Sequence, residues 1–205
     1  MVYESQHPLV KHKLTLMRNS ATKPKKFREL IRELSMLLCY EATTDLTTQP
    51  LTVDTPMGRA AGVELQHKVG LVPILRAGLG MLDSILQLIP HARVGFIGLK
   101  RDETTLRATA YHKSLPPRLD DFETILIDPM LATGGSTVAA MDLLTERGAQ
   151  HVRLVNLVAA PEGVRHVRRH YPRVPIFTAA IDARLNSRGY ILPGLGDAGD
   201  RLFGV

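Results

Sequence analysis

Residues 125–141 read ILIDPMLATGGSTVAAM and carry the strongest structural signal in this chain. An apolar run ends in Asp128, and a short loop with Gly134 and Gly135 follows. A helical pattern then runs from residue 136 to residue 147. Paired glycines let a backbone curl around a ligand, and the free amide N–H groups at a helix start attract an anion. The stretch therefore predicts a buried strand, a phosphate-binding loop and a helix in direct succession.

The same loop contains three hydroxyl side chains, those of Thr133, Ser136 and Thr137, which are neutral hydrogen-bond donors for a phosphate. It lacks the lysine of the G-x-x-x-x-G-K-[ST] pattern, which argues against a nucleoside-triphosphate P-loop. A T-G-G-S turn also occurs as a plain helix cap without any ligand. The loop by itself therefore leaves two interpretations open, a phosphate-monoester site and a structural turn.

Short apolar runs alternate with helical stretches along most of the remaining chain. We predict strands over residues 69–75, 94–99, 108–112, 124–127, 152–159 and 176–181, and helices over residues 26–46, 79–88, 136–147 and 161–170. A polar arm over residues 1–25 precedes them, and a β-like stretch over 51–55 ends in a turn at 56–58. Continuous apolar strands separated by helices are typical of a parallel β-sheet covered on both faces. The sequence thus predicts one α/β domain over residues 1–205, with its ligand loops at the carboxyl ends of the strands.

The net charge of +6, from 26 basic and 20 acidic residues, has two explanations. It fits a nucleic-acid surface, or arginines gathered around a small, heavily charged phosphate ligand. Aromatic residues make up 5% of the chain and tryptophan is absent, so stacking platforms for single-stranded nucleic acid are poorly supplied. The composition favours the small ligand, and we expect no nucleic-acid partner.

Several features argue against a membrane or secreted protein. No apolar run approaches the length of about 20 residues that spans a bilayer, and residues 1–13 are polar, unlike a signal peptide. The single cysteine, Cys39, cannot form an internal disulfide, and we interpret it as a small buried hydrophobic residue. We therefore expect a cytoplasmic protein without a membrane partner.

His166 and His170 have the spacing of two zinc ligands on one helix face. Their neighbours Arg165, Arg168 and Arg169 would repel a divalent cation. A solvated helix face is therefore the better interpretation of this stretch.

Two arginines follow predicted strands in loops of similar form. Arg76 stands in VPILRAGLG, residues 72–80, and Arg101 in GLKRDET, residues 98–104. An arginine fork suits bidentate contact with phosphate oxygens. A surface ion pair remains the alternative for Arg76, and the polar stretch over residues 102–107 is equally compatible with a solvated hairpin.

The segment GYILPGLGDAGDR, residues 189–201, is too rich in glycine for a helix or a regular strand. A frayed tail is one interpretation. However, apolar residues within and after the segment, among them Ile191, Leu195 and Phe203, indicate that it packs against the rest of the chain.

Two of these segments resemble known signatures. The stretch around Asp128 resembles the signature with which type I phosphoribosyltransferases bind 5-phosphoribosyl-1-diphosphate (PRPP). Most members have two adjacent acidic residues, whereas Asp128 is followed by Pro129, as in the D-P-M-L-A-T-G-G-S pattern of the uracil-specific branch. Residues 189–201 resemble the uracil-binding motif of that branch, and the resemblance extends from about His7 to the C-terminus. It implies a type I phosphoribosyltransferase-like α/β fold, with a parallel β-sheet core flanked by helices and a small hood built from N- and C-terminal segments.

The resemblance also implies roles for individual residues. Residues 186–205 would form the base-binding segment, and a flap over residues 102–112, with Arg107 as a contact, would close over the reacting groups. The implied uracil-binding residues are Ile191, Gly196, Asp197 and Ala198, acting mainly through their main chain. The implied catalytic residues are Arg76 and Arg101 on the pyrophosphate, Asp128 on the ribose hydroxyls, and Asp197 near the ribose and a metal-bound water. The implied PRPP-binding residues are Arg76, Arg101, Asp128, Pro129, Met130, Leu131, Ala132, Thr133, Gly134, Gly135, Ser136 and Asp197.

The implied reaction transfers the 5-phosphoribosyl group from PRPP to N1 of uracil, giving UMP and pyrophosphate, with Mg²⁺ carried by PRPP. The family usually forms homodimers or larger homo-oligomers. Some members are activated by GTP, for which the sequence has no separate motif. Two alternatives remain. One is a phosphoribosyltransferase for a purine or orotate, against which residues 189–201 argue; the other is a pyrimidine-responsive, RNA-binding regulator with the same fold, which the basic composition permits.

Overall fold

The computed structural model describes residues 1–101 and 108–204, and within them no helix has both the length and the apolarity to cross a membrane. The helices of this described part are α1 (Pro8–Arg18), α2 (Pro24–Ala42), α3 (Leu79–Leu88), α4 (Gly135–Glu146), α5 (Pro161–His170) and α6 (Ala198–Phe203). Its strands are β1 (Val2–Glu4), β2 (Thr48–Thr55), β3 (Gly58–Leu65), β4 (Lys68–Leu75), β5 (Arg93–Val94), β6 (Phe96–Arg101), β7 (Ala108–Ser114), β8 (Phe122–Ile127), β9 (Met130–Leu131), β10 (His151–Ala159), β11 (Ile176–Ile181), β12 (Arg184–Leu185) and β13 (Ile191–Leu192).

One mixed sheet contains most of these strands, in the order β1-β11-β10-β8-β4-β6-β7, with β5 also paired to β4 and β9 to β10. Its pairings are parallel, apart from the antiparallel pairing of β6 with β7. Two antiparallel ribbons, β2–β3 and β12–β13, stand outside it. The carboxyl ends of β8, β4 and β6 therefore lie side by side at one edge of the sheet, where an α/β protein binds its ligand.

Helices cover both faces of the central strands, as the apolar pattern predicts. Leu71 in β4 and Ile125 in β8 pack into one core with α2 and α3. The next residues along these strands, Val72 and Leu126, pack into a second core with α4 and α5. Burying such a side chain contributes about 1.5–3 kcal/mol. A strand with apolar side chains on both faces is therefore most stable between two layers of helices. Strand β8 has this position, and all six of its residues are buried.

The first core includes Cys39, whose side chain has no exposed surface. Burial raises the pKa of the Cys39 thiol to about 12, so the thiol stays protonated and packs as an apolar group. The interpretation of this cysteine as a small buried hydrophobic residue is confirmed.

A buried ion pair fastens the opposite, amino-terminal edge of the sheet. Arg153 near the start of β10 bonds to Glu123 of β8 at 2.8 Å, to Asp45 and to the carbonyl oxygen of Ala42. The side chains of Arg153 and Glu123 are only 8% and 10% exposed. The pair thereby joins the end of α2 to two central strands.

The polar N-terminal arm contains regular structure that the sequence analysis did not predict. Strand β1 joins the sheet beside β11, with Val2 opposite Ile176. Helix α1 begins at Pro8, and the His7 ring nitrogen Nδ1 accepts a hydrogen bond from the Leu9 N–H at 3.1 Å. Because the partner of β1 lies far along the chain, the local sequence pattern does not reveal this strand.

Helix α2 ends at Ala42, four residues before the predicted end. The hydroxyl groups of Thr43 and Thr44 donate hydrogen bonds to the carbonyl oxygens of Cys39, at 2.8 Å, and Glu41, at 2.9 Å. These bonds satisfy carbonyls that a longer helix would otherwise use, so the helix stops there.

The glycine-rich C-terminal segment contains helix α6, although its composition argued against any helix. The Asp197 side chain caps this helix by accepting the Asp200 N–H at 3.0 Å, and Gly204 ends it in the left-handed region. Ala198 and Leu202 are buried in the first core. The prediction that this segment packs is confirmed, and the frayed-tail interpretation is wrong.

Candidate active site

A cavity of about 360 Å³ lies at the carboxyl edge of the sheet, beside the end of β8. Its volume is within the range of small-molecule sites. The loop after β8 and the start of α4 contribute one group of lining residues, Asp128, Met130, Ala132, Thr133, Gly134, Ser136 and Thr137. The C-terminal segment contributes the other, Arg188, Gly189, Tyr190, Ile191 and Asp197.

The structure thus brings the predicted phosphate loop and the predicted base segment to one cavity. Pro129 and Leu131 belong to the loop but do not line the cavity; their carbonyl oxygens bond to the neighbouring main chain instead. The Pro129 carbonyl oxygen accepts the Leu157 N–H at 3.0 Å, and the Leu131 carbonyl oxygen accepts the Ala160 N–H at 2.8 Å. These bonds tie the loop to β10 and to the start of α5.

Among the other predicted residues, Gly135, Gly196, Ala198 and Arg76 do not line the cavity. Gly135 is the first residue of α4, and Gly196 and Ala198 flank Asp197. Arg76 is exposed and directly follows β4, after a cis Leu75–Arg76 peptide bond, and Arg101 is the last residue of β6. Since β4 is the neighbour of β8, and β6 of β4, both arginines stand at the same sheet edge as Asp128. Residues 102–107 of the predicted flap, with Arg107, lie outside the described residues, whereas residues 108–112 belong to β7.

Gly134 fixes the shape of the phosphate loop. Its φ of 82° is in the left-handed region, and a Cβ atom at this position would lie 2.9 Å from the Gly163 carbonyl oxygen. Only glycine fits both conditions. Position 134 is the N-cap of α4, so the N–H groups of the following residues have no intrahelical acceptor. The Gly135 N–H is 3.5 Å from Thr133 Oγ1. The loop therefore presents main-chain donors and hydroxyls to the cavity, which suits an anion.

Asp128 has an unusual electrostatic environment. Both of its main-chain polar groups are hydrogen-bonded. The Asp128 N–H donates to the Val155 carbonyl oxygen at 3.2 Å, and the Asp128 carbonyl oxygen accepts from the Asn156 side-chain amide at 2.6 Å. Burial raises the pKa of the Asp128 carboxyl to about 7, although a hydrogen bond from the Met130 N–H favours the charged form. A ligand that donates hydroxyl hydrogens or brings a cation would stabilise the carboxylate.

An ion pair holds the base segment over the sheet. Arg18 at the end of α1 makes a bidentate contact with Asp182, at 2.6 and 2.7 Å, and also donates to the Gly194 carbonyl oxygen at 2.7 Å. Asp182 in turn accepts the Gly194 N–H at 2.9 Å. The turn that follows β13 is therefore clamped from two sides.

Arg201 makes a second connection between the two ends of the chain. Its guanidinium donates to the carbonyl oxygens of Met17, Asn19 and Leu195, at 2.7–2.8 Å, and stacks 4.3 Å over the Phe27 ring. Together with Arg18, this residue builds the N- and C-terminal hood that the sequence resemblance implied.

Sequence reasoning missed three residues that line the cavity, Arg188, Gly189 and Tyr190. They belong to a turn between β12 and β13 that Asn186 organises, since its side chain accepts the N–H groups of Arg188 and Tyr190, both at 2.9 Å. An asparagine ahead of a glycine is a turn signal. This signal does not reveal which face of the turn points to the cavity, so the sequence alone could not identify these residues as part of its lining.

The histidine pair on α5 matches the solvated-face interpretation. The rings of His166 and His170 are 4.7 Å apart, and Arg165, Arg168, Arg169 and His170 are exposed. Burial, with smaller contributions from His170 and Arg169, lowers the pKa of His166. Within residues 1–101 and 108–204, no group of three or more His, Cys, Asp or Glu side chains is placed to hold a metal ion.

Comparisons with known proteins agree with this geometry. The family model for uracil phosphoribosyltransferase matches residues 4–205. A uracil phosphoribosyltransferase from Roseiflexus castenholzii is 57% identical over 204 residues, 100% of this chain and 98% of that protein. One from Thermoanaerobacter sp. strain X514 is 53% identical over 205 residues, with the same two shares. Among solved structures, the AQ2163 protein from Aquifex aeolicus is 41% identical, with a TM-score of 0.94 over 100% of this chain and 99% of that one. A Staphylococcus aureus hypoxanthine phosphoribosyltransferase, 12% identical with a TM-score of 0.53 over 88% and 84% of the two chains, shares the fold.

We expect Arg18→Gln to lower the free energy of unfolding by about 3–5 kcal/mol, because it leaves the nearly buried Asp182 carboxylate without its cation. Lys26→Gln is the matched control, since it breaks an exposed pair with Glu29, and such pairs contribute about 0–1 kcal/mol. Urea unfolding of both variants measures the difference. Equal, small losses would show that the Arg18 pair does not hold the hood.

Asp128→Asn should make the protein more stable above pH 7. In the unfolded chain the Asp128 carboxyl loses its proton near pH 4, whereas in the folded chain it keeps the proton until about pH 7. The wild-type protein therefore loses unfolding free energy as pH rises through this window, by about 4 kcal/mol at about 1.4 kcal/mol for each pH unit. Asparagine does not titrate, so the two proteins should be equally stable at pH 4 and differ at pH 8.

Urea unfolding at these two pH values tests this expectation. Asp121→Asn is the control, because hydrogen bonds from His67 and Lys68 lower the pKa of that exposed carboxyl, and its loss should not stabilise the protein at pH 8. A wild-type protein as stable as Asp128→Asn at pH 8 would contradict the raised pKa.

Proposed function

The chain belongs to the uracil phosphoribosyltransferase family, and we propose that the cavity at the carboxyl edge of its sheet is where the reaction of this family takes place. The chain is a pentosyltransferase that makes UMP and pyrophosphate from uracil and PRPP. One observation carries the assignment to this cavity. The phosphate loop after β8 and the base segment around Ile191 line the same space, so a phosphate and a base joined by one ribose fit between them.

The phosphate loop is the proposed site of the 5′-phosphate. Gly134 brings the loop close to α5, and the amide groups at the start of α4, with the hydroxyls of Thr133 and Ser136, supply the donors. Asp128 at the end of β8 is the proposed partner of the ribose hydroxyls. Hydrogen bonds from those hydroxyls favour the carboxylate, so PRPP binding would counteract the desolvation that raises the Asp128 pKa.

The base segment is the proposed source of uracil specificity. Uracil has two carbonyl acceptors and one N–H donor along the edge that faces the protein, and the main chain of Ile191, Gly196, Asp197 and Ala198 offers complementary groups. The clamp by Arg18 and Asp182 holds this segment in place. Cytosine would set an amino group against a main-chain donor and leave both unsatisfied, and a site built on such matching discriminates strongly.

Arg76 and Arg101 are the proposed contacts of the departing pyrophosphate. A Cβ atom at Gly78 would lie 2.7 Å from the carbonyl oxygens of Ile127 and Ile74, so the loop that carries Arg76 is pressed against the end of β8, next to Asp128. An arginine there stabilises the negative charge that develops on the leaving group. Since the transition state at the ribose C1 has cationic character, most of the catalysis would come from positioning and electrostatics.

Mg²⁺ is the proposed cofactor, and the cavity contains residues that fit it. Two carboxylates, those of Asp128 and Asp197, line the cavity. Mg²⁺ in phosphate sites is commonly held by one or two carboxylates together with waters and substrate oxygens. When bound with PRPP, the ion would neutralise charge on the leaving pyrophosphate, while the two carboxylates orient the ribose beneath the base segment.

We also propose that the protein is a homo-oligomer in which a second copy covers the β2–β3 ribbon. Apart from the partly buried Ala60, every residue of these two strands is exposed, including Val63 at 68%; Met57 in the connecting turn is 96% exposed. An isolated two-stranded ribbon is marginally stable in water, and exposed apolar groups in such a ribbon favour an interface. The cytoplasmic location and the GTP effector rest on the sequence analysis and stay predictions.

We expect the protein to form UMP from uracil, PRPP and Mg²⁺, and not to use cytosine, hypoxanthine or orotate. Asp128→Asn should lower kcat/KM about 10- to 150-fold, the effect of losing a charge-assisted hydrogen bond, although the same change stabilises the fold above pH 7. Asp121→Asn should keep wild-type activity. A folded protein that binds PRPP but converts none of the four bases would overturn the proposed site.

Val63→Glu should shift the protein from an oligomer to a monomer, because a buried charge in the ribbon interface is costly. Leu9→Glu changes an apolar residue of similar exposure, 51%, on α1 and is the control. Light scattering after size-exclusion chromatography measures both masses. A wild-type protein that already elutes as a monomer would refute the assembly.

A further inference from the structure

The turn between β12 and β13 holds a cation at the cavity. Arg188 lines this space together with the phosphate loop. Four hydrogen bonds of Asn186 shape the turn. Its side-chain Oδ1 accepts the N–H groups of Arg188 and Tyr190, its N–H donates to the Tyr190 carbonyl oxygen at 2.8 Å, and its carbonyl oxygen accepts the Gly189 N–H at 3.0 Å. The main chain that carries Arg188 is therefore held in a defined conformation.

The turn and the phosphate loop are attached to the same helix. Glu162 in the first turn of α5 accepts the N–H of Leu185 in β12 at 3.2 Å. The next residue, Gly163, packs under the phosphate loop, against the main chain of Ala132 and Gly134. The ribbon that carries Arg188 and the phosphate loop are therefore both anchored to the first turn of α5.

Arg188 is the positively charged residue in the described lining of the cavity. Within the described part of the chain, its charged lining residues are Asp128, Asp197 and Arg188. The phosphate loop contributes neutral donors, whereas a phosphate monoester has a second pKa of about 6 and carries nearly two negative charges above pH 7. In the same described residues the Arg188 guanidinium has no hydrogen bond or ion pair. A cation without a partner thus lines a cavity that already holds two carboxylates.

We propose that Arg188 is a phosphate-binding residue of this active site, contacting the 5′-phosphate of PRPP and of UMP from the side of the base segment. An arginine fork can bind two phosphate oxygens at once, while the start of α4 binds from the loop side. The inference rests on the proposed function, because it takes the loop at Gly134 as the site of the 5′-phosphate. It adds a charged partner to a loop that otherwise binds with neutral groups.

A comparison of two ligands tests this role directly. UMP and uridine share base and ribose and differ in the phosphate, so the ratio of their affinities measures the phosphate contact. Titration calorimetry with both ligands would be done on the wild-type protein and on Arg188→Gln, Arg188→Lys and Arg147→Gln. Arg147 is an exposed arginine at the far end of α4, about 18 Å from the phosphate loop at 1.5 Å per residue, and provides the same change in net charge.

We expect Arg188→Gln to weaken UMP binding about 10- to 100-fold, the range of a charge-assisted contact, and to leave uridine binding within about twofold. Arg188→Lys should restore part of the loss, because it keeps the charge but not the fork. Arg147→Gln should bind both ligands like the wild type.

Two results would overturn the role of Arg188. One is unchanged UMP binding in Arg188→Gln, and the other is an equal loss for UMP and uridine, which would mean that the residue only supports the turn. A wild-type protein that binds neither ligand would instead refute the proposed function, and the inference with it. Urea unfolding of Arg188→Gln confirms that the variant is folded.

Discussion

The ion pair between Arg18 and Asp182 holds the C-terminal segment over the carboxyl edge of the sheet. Asp182 directly follows β11, is 7% exposed, and accepts hydrogen bonds from both the Arg18 guanidinium and the Gly194 N–H. A carboxylate buried to this degree is costly unless its partners are all present. Strand β13 has only two residues and α6 only six, so the base segment depends on these long-range bonds for its position. Helix α1 contributes no residue to the described lining of the cavity, yet its Arg18 holds the turn after β13 in place.

Helix α5 has a comparable role on the other side of the cavity. Its first turn supports the phosphate loop through Gly163 and the β12–β13 ribbon through Glu162. The proposed sites of the phosphate and of the base are therefore both attached to one helix. This matters for a transfer reaction, because both ends of the nucleotide must be held while the bond at C1 changes partner.

The electrostatics of the site oppose stability and favour ligand binding. Asp128 and Asp197 stand in one cavity, and burial raises the pKa of Asp128 to about 7. The ligand-free protein therefore loses stability when this group ionises. In the proposed function, ribose hydroxyls and cations that arrive with the substrate would relieve this cost, so the same carboxylate that destabilises the free protein would help to bind PRPP. In the proposed function, arginines at the ends of β4 and β6, and Arg188 on the ribbon, would provide positive charge around a polyanionic substrate.

Much of the structure could be predicted from local sequence pattern. Helices α3 and α5 and strand β11 have the predicted bounds, because periodicity and end signals act within a few residues. The phosphate loop was identified for the same reason, since a strand, two glycines and a helix start are contiguous. Strand β1 and helix α6 were missed: one depends on a distant strand, and the other on an Asp197 cap in a segment whose glycines argue against a helix.

The sequence by itself determined the chemical groups of this protein and their order along the chain: a phosphate loop, two strand-end arginines and a glycine-rich base segment. Only the tertiary structure decided which of these groups share a cavity. Arg18 and Asp182 are 164 positions apart, and Arg188 lines the cavity from a C-terminal segment that bonds of Asn186, Glu162 and Arg18 hold in place. Contacts between residues so far apart in the sequence produce no periodic pattern within a short stretch, because each depends on how separate elements pack around the sheet.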